Sequence, residues 1–269
     1  YKQNIREIYL KNLKASILVV NYNNGKYINQ NIKSLKNQTY KNIEIIYHDD
    51  NSTDNSLSIL KRFKKIKIIK NKKKGKFGSF NQIDGFKRAF NRCKGDIIFL
   101  LDSDDYFHKN KIKKIVRKFS ENRRTLAIYD LPILVKKKNF YKLKNKKKFF
   151  KTYWPYIPPQ SCISLRRKIF KKIMAQISFK YFPDIWMDFR IAIYLMYIEK
   201  KFYVLEENLT YYRKVENSAS SKFRYLSLSW WIRRMQAHNY VIFFFKKFKI
   251  SHKKNFDYLV TKFINFFLV

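Results

Sequence analysis

Residues 95–105 read GDIIFLLDSDD, and this stretch decides the fold class. Ile97 to Leu101 is an apolar run of strand length without glycine or proline, which is typical of a strand buried on both faces of an α/β sheet. Three carboxylates, Asp102, Asp104 and Asp105, follow it directly. Because open α/β sheets bind ligands beyond the carboxyl ends of their strands, these aspartates mark a candidate site.

The crowding of these carboxylates has a chemical consequence. Like charges this close repel each other, which raises their pKa values unless a cation is shared. A divalent metal removes the conflict, since Mg²⁺ prefers carboxylate oxygens and commonly bridges to substrate phosphates. The pattern therefore indicates a metal site for a phosphate-bearing substrate. The alternative is a solvated acidic turn that caps a helix beginning near Lys109.

The preceding hundred residues alternate between strand and helix patterns. Apolar runs predict strands at 15–20, 43–47 and 66–69, and apolar residues at helical spacing predict helices at 28–38, 54–64 and 79–93. Ser52 or Thr53 is the expected cap of the second helix. This alternation predicts a parallel sheet with right-handed crossovers.

A second acidic pair, Asp49 and Asp50, follows the second predicted strand. Parallel strands end at the same edge of a sheet, so this pair is expected beside Asp102. The alternative is a helix N-cap cluster. The basic loop 71–78 that follows the third strand either neutralises a diphosphate or is a solvated charge run.

The composition sets limits on the function. The 269 residues carry 60 Lys and Arg against 19 Asp and Glu, a formal net charge of +41. Such a charge suggests nucleic acid or an anionic membrane as partner. However, Lys, Asn, Ile, Phe and Tyr are abundant and Gly and Pro occur 5 times each, as expected from an A+T-rich genome. The basic residues are also spread along the whole chain, which argues against nucleic-acid binding.

The cysteines and the hydropathy indicate a compartment. Cys93 and Cys162 lie far apart and match no metal or disulfide pattern, which fits a reducing cytoplasm. No apolar run reaches the roughly 18 residues of a membrane-spanning helix, and no signal peptide is recognisable.

The motifs together resemble the inverting glycosyltransferases of family 2, which have the GT-A fold. The matching segments are SILVVNYN at 16–23, IKSLKNQTY at 32–40, DDNSTDNS at 49–56, GSFNQ at 78–82 and the stretch 95–105. The resemblance implies an α/β fold with a GT-A type, Rossmann-like, mostly parallel sheet flanked by helices. It also implies a nucleotide-sugar-binding half at 1–121, an acceptor-binding half at 122–222, and a helical C-terminal extension at 223–269.

The resemblance also assigns roles in donor binding. Asp50, with Asp49 beside it, would accept the N3–H of a uracil-type base, and Asn21 and Tyr22 would line the nucleotide pocket. Asn81 lies where the family has an asparagine near the donor sugar, with a helix-surface position as the alternative.

Further roles concern the sugar and the metal. Asp102 would approach the ribose or the sugar. Asp104 would ligate Mg²⁺ or Mn²⁺ bridging the diphosphate, with Asp105 as the alternative ligand.

The second half resembles the family less closely. Residues 125–129 predict a strand, and the basic stretch 136–151 predicts a loop or a hairpin. Asp184 matches the second residue of the family's acidic pair, and Pro183 departs from the first. An inverting transfer needs a carboxylate that deprotonates the acceptor hydroxyl, so Asp184 is the candidate base and Asp188 the runner-up. The alternative for Asp184 is a helix cap. Aromatic residues Trp154 and Tyr156 either stack on a sugar or pack in the core.

The C-terminal part adds a possible cation and a possible surface helix. Arg213 would contact the diphosphate, whereas Val215 stands where the family often has a histidine. His238 is a possible substitute metal ligand, or else lies on an ordinary helix face. The segment from Trp230 onward mixes apolar and basic faces, which suits an interfacial helix on anionic lipid or a plain packing helix.

The resemblance implies a metal-dependent inverting glycosyltransferase. It would move a sugar from a nucleotide-sugar, expected to be a UDP-sugar, to a saccharide or lipid-linked saccharide in bacterial surface polysaccharide, lipopolysaccharide or lipid-linked glycan synthesis. The protein would be cytoplasmic, with a peripheral position at the inner membrane face as an open alternative.

Three alternatives to this function are open. The first is an inactive donor-binding relative, consistent with Pro183 and Val215, and the second is the nucleic-acid-binding protein disfavoured above. The third, a nucleotidyltransferase, needs a glycine-rich loop after the first strand, whereas residues 21–26 contain only Gly25.

Overall fold

The computed structural model describes residues 13–145, 158–177, 181–215 and 221–268. The strands are β1 Ala15–Asn21, β2 Ile43–Asp49, β3 Ile66–Lys70, β4 Ile97–Asp102, β5 Tyr106–Phe107, β6 Ala127–Lys136, β7 Asn139–Lys142, β8 Ile163–Arg166 and β9 Phe202–Arg213. The helices are α1 Gly25–Lys36, α2 Ser56–Lys61, α3 Gly78–Arg92, α4 Lys111–Glu121, α5 Arg167–Gln176, α6 Met187–Tyr194, α7 Leu228–Lys247 and α8 Phe256–Leu268. A 3₁₀ turn at Gln160–Cys162 precedes β8, and a π-helical turn at Leu195–Glu199 follows α6.

One sheet runs through the described residues in the order β3-β2-β1-β4-β8-β6-β9-β5, with β7 paired to β6. The first four of these strands are parallel, and β8 joins β4 in the antiparallel direction. The predicted α/β fold with a mostly parallel sheet is therefore confirmed. The division into halves at 121 and 222 stays a prediction.

The strands at the centre are buried on both faces, as the apolar run of β4 predicts. Along β4, Ile98 and Leu100 face one core, whereas Phe99 and Leu101 face the other. Gly85 lets α3 pack closely on the sheet, because a Cβ atom there would lie 2.8 Å from the His48 ring. These two cores fix the strand ends that carry the acidic residues.

One local prediction and one alternative, both about helix caps, were wrong. Helix α2 begins at Ser56 with Asn55 as its N-cap and no side-chain cap, because Ser52 bonds to Asp49 instead. Helix α4 begins at Lys111 with Asn110 as its N-cap, so the acidic turn does not cap it.

The strand predicted at 125–129 runs as β6 to Lys136 and forms a hairpin with β7. The hairpin confirms one of the two alternatives for the basic stretch that begins at Lys136. Trp154 and Tyr156 lie outside the described residues.

The predicted helical C-terminal extension is confirmed as the pair α7 and α8. Helix α7 packs into the core through Ala237, Tyr240 and Phe244. Within the described ranges, no helix is long and apolar enough to cross a membrane.

Candidate active site

The carboxyl ends of β1, β2 and β4 bring the acidic clusters to one edge. Asn21 is in register with Asp49 across β1 and β2, and Val20 is in register with Asp102 across β1 and β4. The predicted meeting of the two clusters is therefore observed.

Asp49 organises the loop after β2. Its side chain is fully buried and accepts hydrogen bonds from Asn21 Nδ2 at 2.7 Å, Ser52 N at 2.9 Å and Ser52 Oγ at 2.7 Å. The turns bend at Asn23 and Asn51, whose φ angles of 50° and 59° are left-handed. Asp49 therefore shapes the loop beside Asp50, and its predicted place in donor binding stays a prediction.

Asp50 and Tyr22 lie next to this loop, each at the end of a parallel strand. Asn71 Nδ2 donates to Asp50 Oδ1 at 2.9 Å, and no described residue donates to Asp50 Oδ2. The Tyr22 ring is 38% exposed, with the Lys74 ammonium 3.3 Å from its centroid. Asn21 also points a buried, unpartnered Oδ1 atom into this region of the described structure. A hydrogen-bond acceptor beside an exposed ring suits a planar base.

Asp102 ends β4 between two glutamines that the sequence analysis missed. Its Oδ1 atom accepts from Gln82 Nε2 at 3.1 Å and from Gln160 Nε2 at 3.4 Å. Burial, followed by the charges of Asp104 and Asp188, raises the pKa of Asp102 to about 8. An ordered, partly protonated carboxyl of this kind can bond a sugar or ribose hydroxyl.

Asp105 is a structural carboxylate. It is 1% exposed, and its two oxygens accept from the Arg213 backbone N–H at 2.8 Å and from Ser161 Oγ at 2.6 Å. Burial above all, then the charges of Asp104 and Asp102, raises its pKa well above the usual range. Both oxygens are thus bonded within the protein, and the alternative metal role for Asp105 stays a prediction.

Asp104 has the open carboxylate of the cluster. No described side chain donates to its oxygens, whereas the Arg213 guanidinium bonds its backbone oxygen. That guanidinium lies 4.7 Å from the Tyr27 ring centroid and 4.8 Å from that of Tyr106. Burial raises the pKa of Asp104, and Arg213 acts in the opposite direction. Asp104 and Arg213 thus present one acidic and one basic group side by side.

The carboxylates of the acidic cluster fit a metal ion that is bound partly by the protein and partly by the substrate. Among the residues described, no group of three or more His, Cys, Asp and Glu side chains could hold a metal by itself. A divalent ion here would therefore rely on Asp104, with Asp102 adjacent, and on phosphate oxygens. Mg²⁺ is commonly bound in this way, through one or two carboxylates and substrate phosphates.

Asn81 holds the basic loop. Its Nδ2 atom donates to the Gly75 carbonyl at 3.0 Å, and a Cβ atom on Gly75 would lie 2.4 Å from Asn81 Oδ1. Its amide is thus bonded within the loop, and the donor-sugar contact of Asn81 stays a prediction. The next residue, Gln82, is the one that reaches Asp102.

Asp184 lies just before α6 and is held from α7. Gln236 Nε2 donates to Asp184 Oδ2 at 2.8 Å, and the Asp184 N–H donates to Gln236 Oε1 at 3.0 Å. Lys222 Nζ is 3.1 Å from the other oxygen. Helix α6 begins at Met187 with Trp186 as its N-cap, so the capping alternative for Asp184 is wrong.

Asp188 lies in the first turn of α6. It accepts from the Phe189 N–H at 2.8 Å, and burial raises its pKa. Its charge acts on Asp102 and on Tyr212, so it faces the acidic cluster.

Arg233 of α7 faces the same space and was missed by the sequence analysis. Its guanidinium lies 4.6 Å from the Phe223 ring centroid, and no described carboxylate is within ion-pair distance. Burial lowers its pKa, whereas the charges of Asp188 and Asp184 raise it.

His238 belongs to the interface of α7 and α8. Its Nε2 atom is 3.2 Å from Asp257 Oδ2 and 3.5 Å from Thr261 Oγ1. Its ring is thus bonded to α8, and the alternative metal role of His238 stays a prediction.

Comparison with known proteins gives the family. The sequence profile described as "Glycosyl transferase family 2" matches residues 16–174, which is more than half of the chain. An uncharacterized glycosyltransferase of Nostoc sp. is 30% identical over 218 residues, covering 75% of this chain and 65% of that protein. The Escherichia coli UDP-Glc:alpha-D-GlcNAc-diphosphoundecaprenol beta-1,3-glucosyltransferase WfaP is 37% identical over 118 residues, 43% of this chain and 44% of that enzyme. The chain thus spans less than two thirds of the length of these relatives.

A solved structure supports the fold. The mannosyltransferase PcManGT from Pyrobaculum calidifontis, in complex with GDP-Man and Mn²⁺, superimposes with a TM-score of 0.62 at 14% identity. The match covers 93% of this chain and 69% of that one. This likeness confirms the predicted GT-A fold.

Proposed function

The chain belongs to glycosyltransferase family 2, and from this premise we propose that it transfers a sugar, with inversion, from a nucleotide-sugar to a saccharide or lipid-linked saccharide acceptor. The product would be a bacterial surface polysaccharide, a lipopolysaccharide or another lipid-linked glycan. The observation that carries this proposal is the open Asp104 carboxylate beside Arg213 and Asp102, where the parallel strands end.

The nucleotide is proposed to bind between β1 and β2, with uracil as its base. Asp50 Oδ2 is available to accept the N3–H of uracil, and the exposed Tyr22 ring is available to stack on it. Lys74, beside Tyr22, would then be near the diphosphate. The name of the E. coli relative, which uses UDP-Glc, supports the same donor class.

The diphosphate is proposed to lie between Asp104 and two arginines. A bound Mg²⁺ or Mn²⁺ would stabilise the negative charge of the departing nucleoside diphosphate. Arg213, stacked between two tyrosines, would bind a phosphate oxygen from the β9 side. Arg233, which has no ion-pair partner among the described residues, would approach from α7.

Asp184 is proposed to accept the proton of the acceptor hydroxyl. Lys222 and Gln236 hold its carboxylate in one orientation, which suits a general base that must meet the acceptor hydroxyl. Asp188 lies deeper, and burial raises its pKa, which favours its protonated form. We therefore retain Asp184 as the base and Asp188 as the runner-up.

The reaction is proposed to take place in the cytoplasm. Cys93 and Cys162 are both buried and free, as expected where thiols stay reduced. A lipid-linked acceptor would in addition require the protein to reach a membrane surface.

The test is release of nucleoside diphosphate from UDP-, GDP- and dTDP-sugars, with and without Mn²⁺, by the wild type, Asp184→Asn and Asp188→Asn. We expect one donor to be turned over, with the larger loss in Asp184→Asn. A larger loss in Asp188→Asn would transfer the role of base to Asp188. Donor binding without turnover, with a range of saccharide acceptors present, would favour the inactive relative. A protein that binds no nucleotide-sugar would contradict the proposed function.

A further inference from the structure

Helix α8 has its polar side turned inward. Asp257 pairs with Arg234 and His238 of α7, and Thr261, one turn later, is fully buried against His238. One further turn along, Asn265 Nδ2 donates to the Trp231 carbonyl at 3.2 Å. These contacts fix which side of α8 faces the protein.

The outer side of α8 is aromatic and exposed. Phe256 is 81% exposed, Phe263 65%, Phe266 79% and Phe267 66%, and Leu259 between them is 52% exposed. The rings of Phe263, Phe266 and Phe267 contact one another at centroid distances of 4.8 and 5.2 Å. A helix that faces water normally has the opposite arrangement, with its apolar side against the core. The outer face of α8, defined as Phe256, Leu259, Phe263, Phe266 and Phe267, therefore requires an apolar medium or partner.

The charges around this face identify the partner. Residues 221–268 contain ten Lys and Arg but one acidic residue, Asp257, which is engaged by Arg234. This ratio is well above that of the whole chain, 60 to 19, so the general lysine bias does not account for it. Lys253 and Lys254, just before α8, and Lys262, within it, are exposed next to the outer face. Aromatic side chains flanked by lysines are the pattern of helices that lie in the interface of an anionic bilayer.

We propose that the outer face of α8 docks on a membrane surface of anionic phospholipid. The helix would lie in the plane of the interface, its phenylalanines among the lipid chains and its lysines at the phosphates. A second copy of the protein is the less suitable occupant, because two such faces would bring their lysines together.

The end of α8 lies near the segment that carries part of the candidate active site. The bond from Asn265 to Trp231 sets the end of α8 beside the start of α7, where Leu226 and Leu228 are 55% and 49% exposed. The same segment carries Lys222 and Arg233, which face Asp184 and Asp188. Docking would therefore bring the proposed base near acceptors that are anchored in lipid. The docking itself does not depend on the proposed sugar transfer.

The test is flotation of the full chain with phosphatidylcholine vesicles, with and without phosphatidylglycerol. We expect binding only when phosphatidylglycerol is present. Phe263→Ser/Phe266→Ser should weaken it at least about tenfold, because two exposed aromatic side chains no longer enter the lipid. The matched control, Phe140→Ser/Tyr203→Ser, removes two exposed aromatic residues of the sheet and should bind like the wild type.

A separate variant tests the electrostatic contribution to membrane binding. Lys253→Glu/Lys254→Glu/Lys262→Glu should weaken binding about fivefold or more for each lysine and should reduce its dependence on salt. Vesicle binding that is absent, or equal in the wild type and Phe263→Ser/Phe266→Ser, would overturn the proposal. A wild-type dimer in sedimentation that Phe263→Ser/Phe266→Ser makes monomeric would also overturn it, in favour of a second copy. Nucleoside diphosphate release with a water-soluble acceptor should be unchanged in all these variants, which separates failed docking from failed catalysis.

Discussion

Replacing Lys111 by methionine should destabilise the protein and disturb the buried contacts that support the acidic cluster. Lys111 and Asp130 are both fully buried, with Lys111 Nζ 2.7 Å from Asp130 Oδ1. The ammonium also donates to the Ser161 carbonyl at 2.7 Å and to Thr210 Oγ1 at 2.6 Å. Ser161 in turn donates to Asp105, so this network supports the turn that carries Asp104.

The magnitude follows from what the substitution leaves behind. Lys111→Met leaves the Asp130 carboxylate buried without its counter-ion, which costs about 3–5 kcal/mol of the free energy of unfolding. Burial already raises the pKa of Asp130 despite the neighbouring Lys111. Without Lys111 the carboxyl should take up a proton more readily, so the loss should become smaller as the pH falls. Lys111→Met/Asp130→Leu should be less destabilised than Lys111→Met, because no charge is left buried.

Urea unfolding monitored by circular dichroism measures these effects. The control is Lys114→Met on the same helix, whose ion pair with Glu207 is exposed and should contribute at most about 1 kcal/mol. A Lys111→Met variant that costs no more than Lys114→Met would refute the reasoning. The reasoning would also be refuted if Lys111→Met/Asp130→Leu lost as much free energy of unfolding as Lys111→Met and Asp130→Leu lose together.

Three further predictions concern other groups. Burial would raise the pKa of Glu44, but the Lys94 N–H, Ser16 and Lys67 outweigh burial and lower it to about 2, below the ordinary value of 4.5. Its ionisation therefore stabilises the fold above about pH 4.5, and this stability is lost as the pH falls towards 2. The free energy of unfolding of Glu44→Gln should depend less on pH over this window than that of the wild type. Parallel pH profiles of the two proteins would contradict this. Gln236→Leu removes the two bonds between Gln236 and Asp184 and should lower kcat about tenfold with little change in the KM for the donor. An unchanged kcat would argue against Asp184 as the base. Arg233→Gln should raise the KM for the donor about tenfold, and Arg233→Lys should raise it less because the positive charge is kept. A KM unaffected by Arg233→Gln would remove Arg233 from the diphosphate site.

The parallel half of the sheet could be predicted because its strands are buried on both faces. Such strands are continuous apolar runs, and their carboxyl ends carry the acidic residues in a fixed order. The strand β6 was underestimated because Asp130 and Pro132 resemble a break in the pattern. The structure accommodates both: Asp130 is neutralised by Lys111, and the register shifts between Leu131 and Pro132.

The roles within the site were harder to predict, because they depend on distant partners. Asp104 and Asp105 are adjacent in sequence, yet Asp105 is bonded by Ser161 and Arg213, which lie far along the chain. Asn81 and Gln82 are neighbours on one helix and both are polar. Sequence periodicity therefore does not show which of them faces the acidic cluster. Gln160 and Arg233 lie in no motif, and the fold alone brings them to the acidic cluster.

The central claim is that Asp104 forms a metal-dependent site for the diphosphate of the donor. The most direct measurement is calorimetric titration of UDP into the wild type, Asp104→Asn and Asp84→Asn, with and without Mn²⁺. Asp84 is an exposed residue of α3 paired with Arg88, so Asp84→Asn is the matched control. We expect Mn²⁺ to tighten UDP binding at least about tenfold in the wild type and in Asp84→Asn, and to leave Asp104→Asn unchanged. An equal effect of Mn²⁺ on Asp104→Asn, or no effect on the wild type, would contradict the claim.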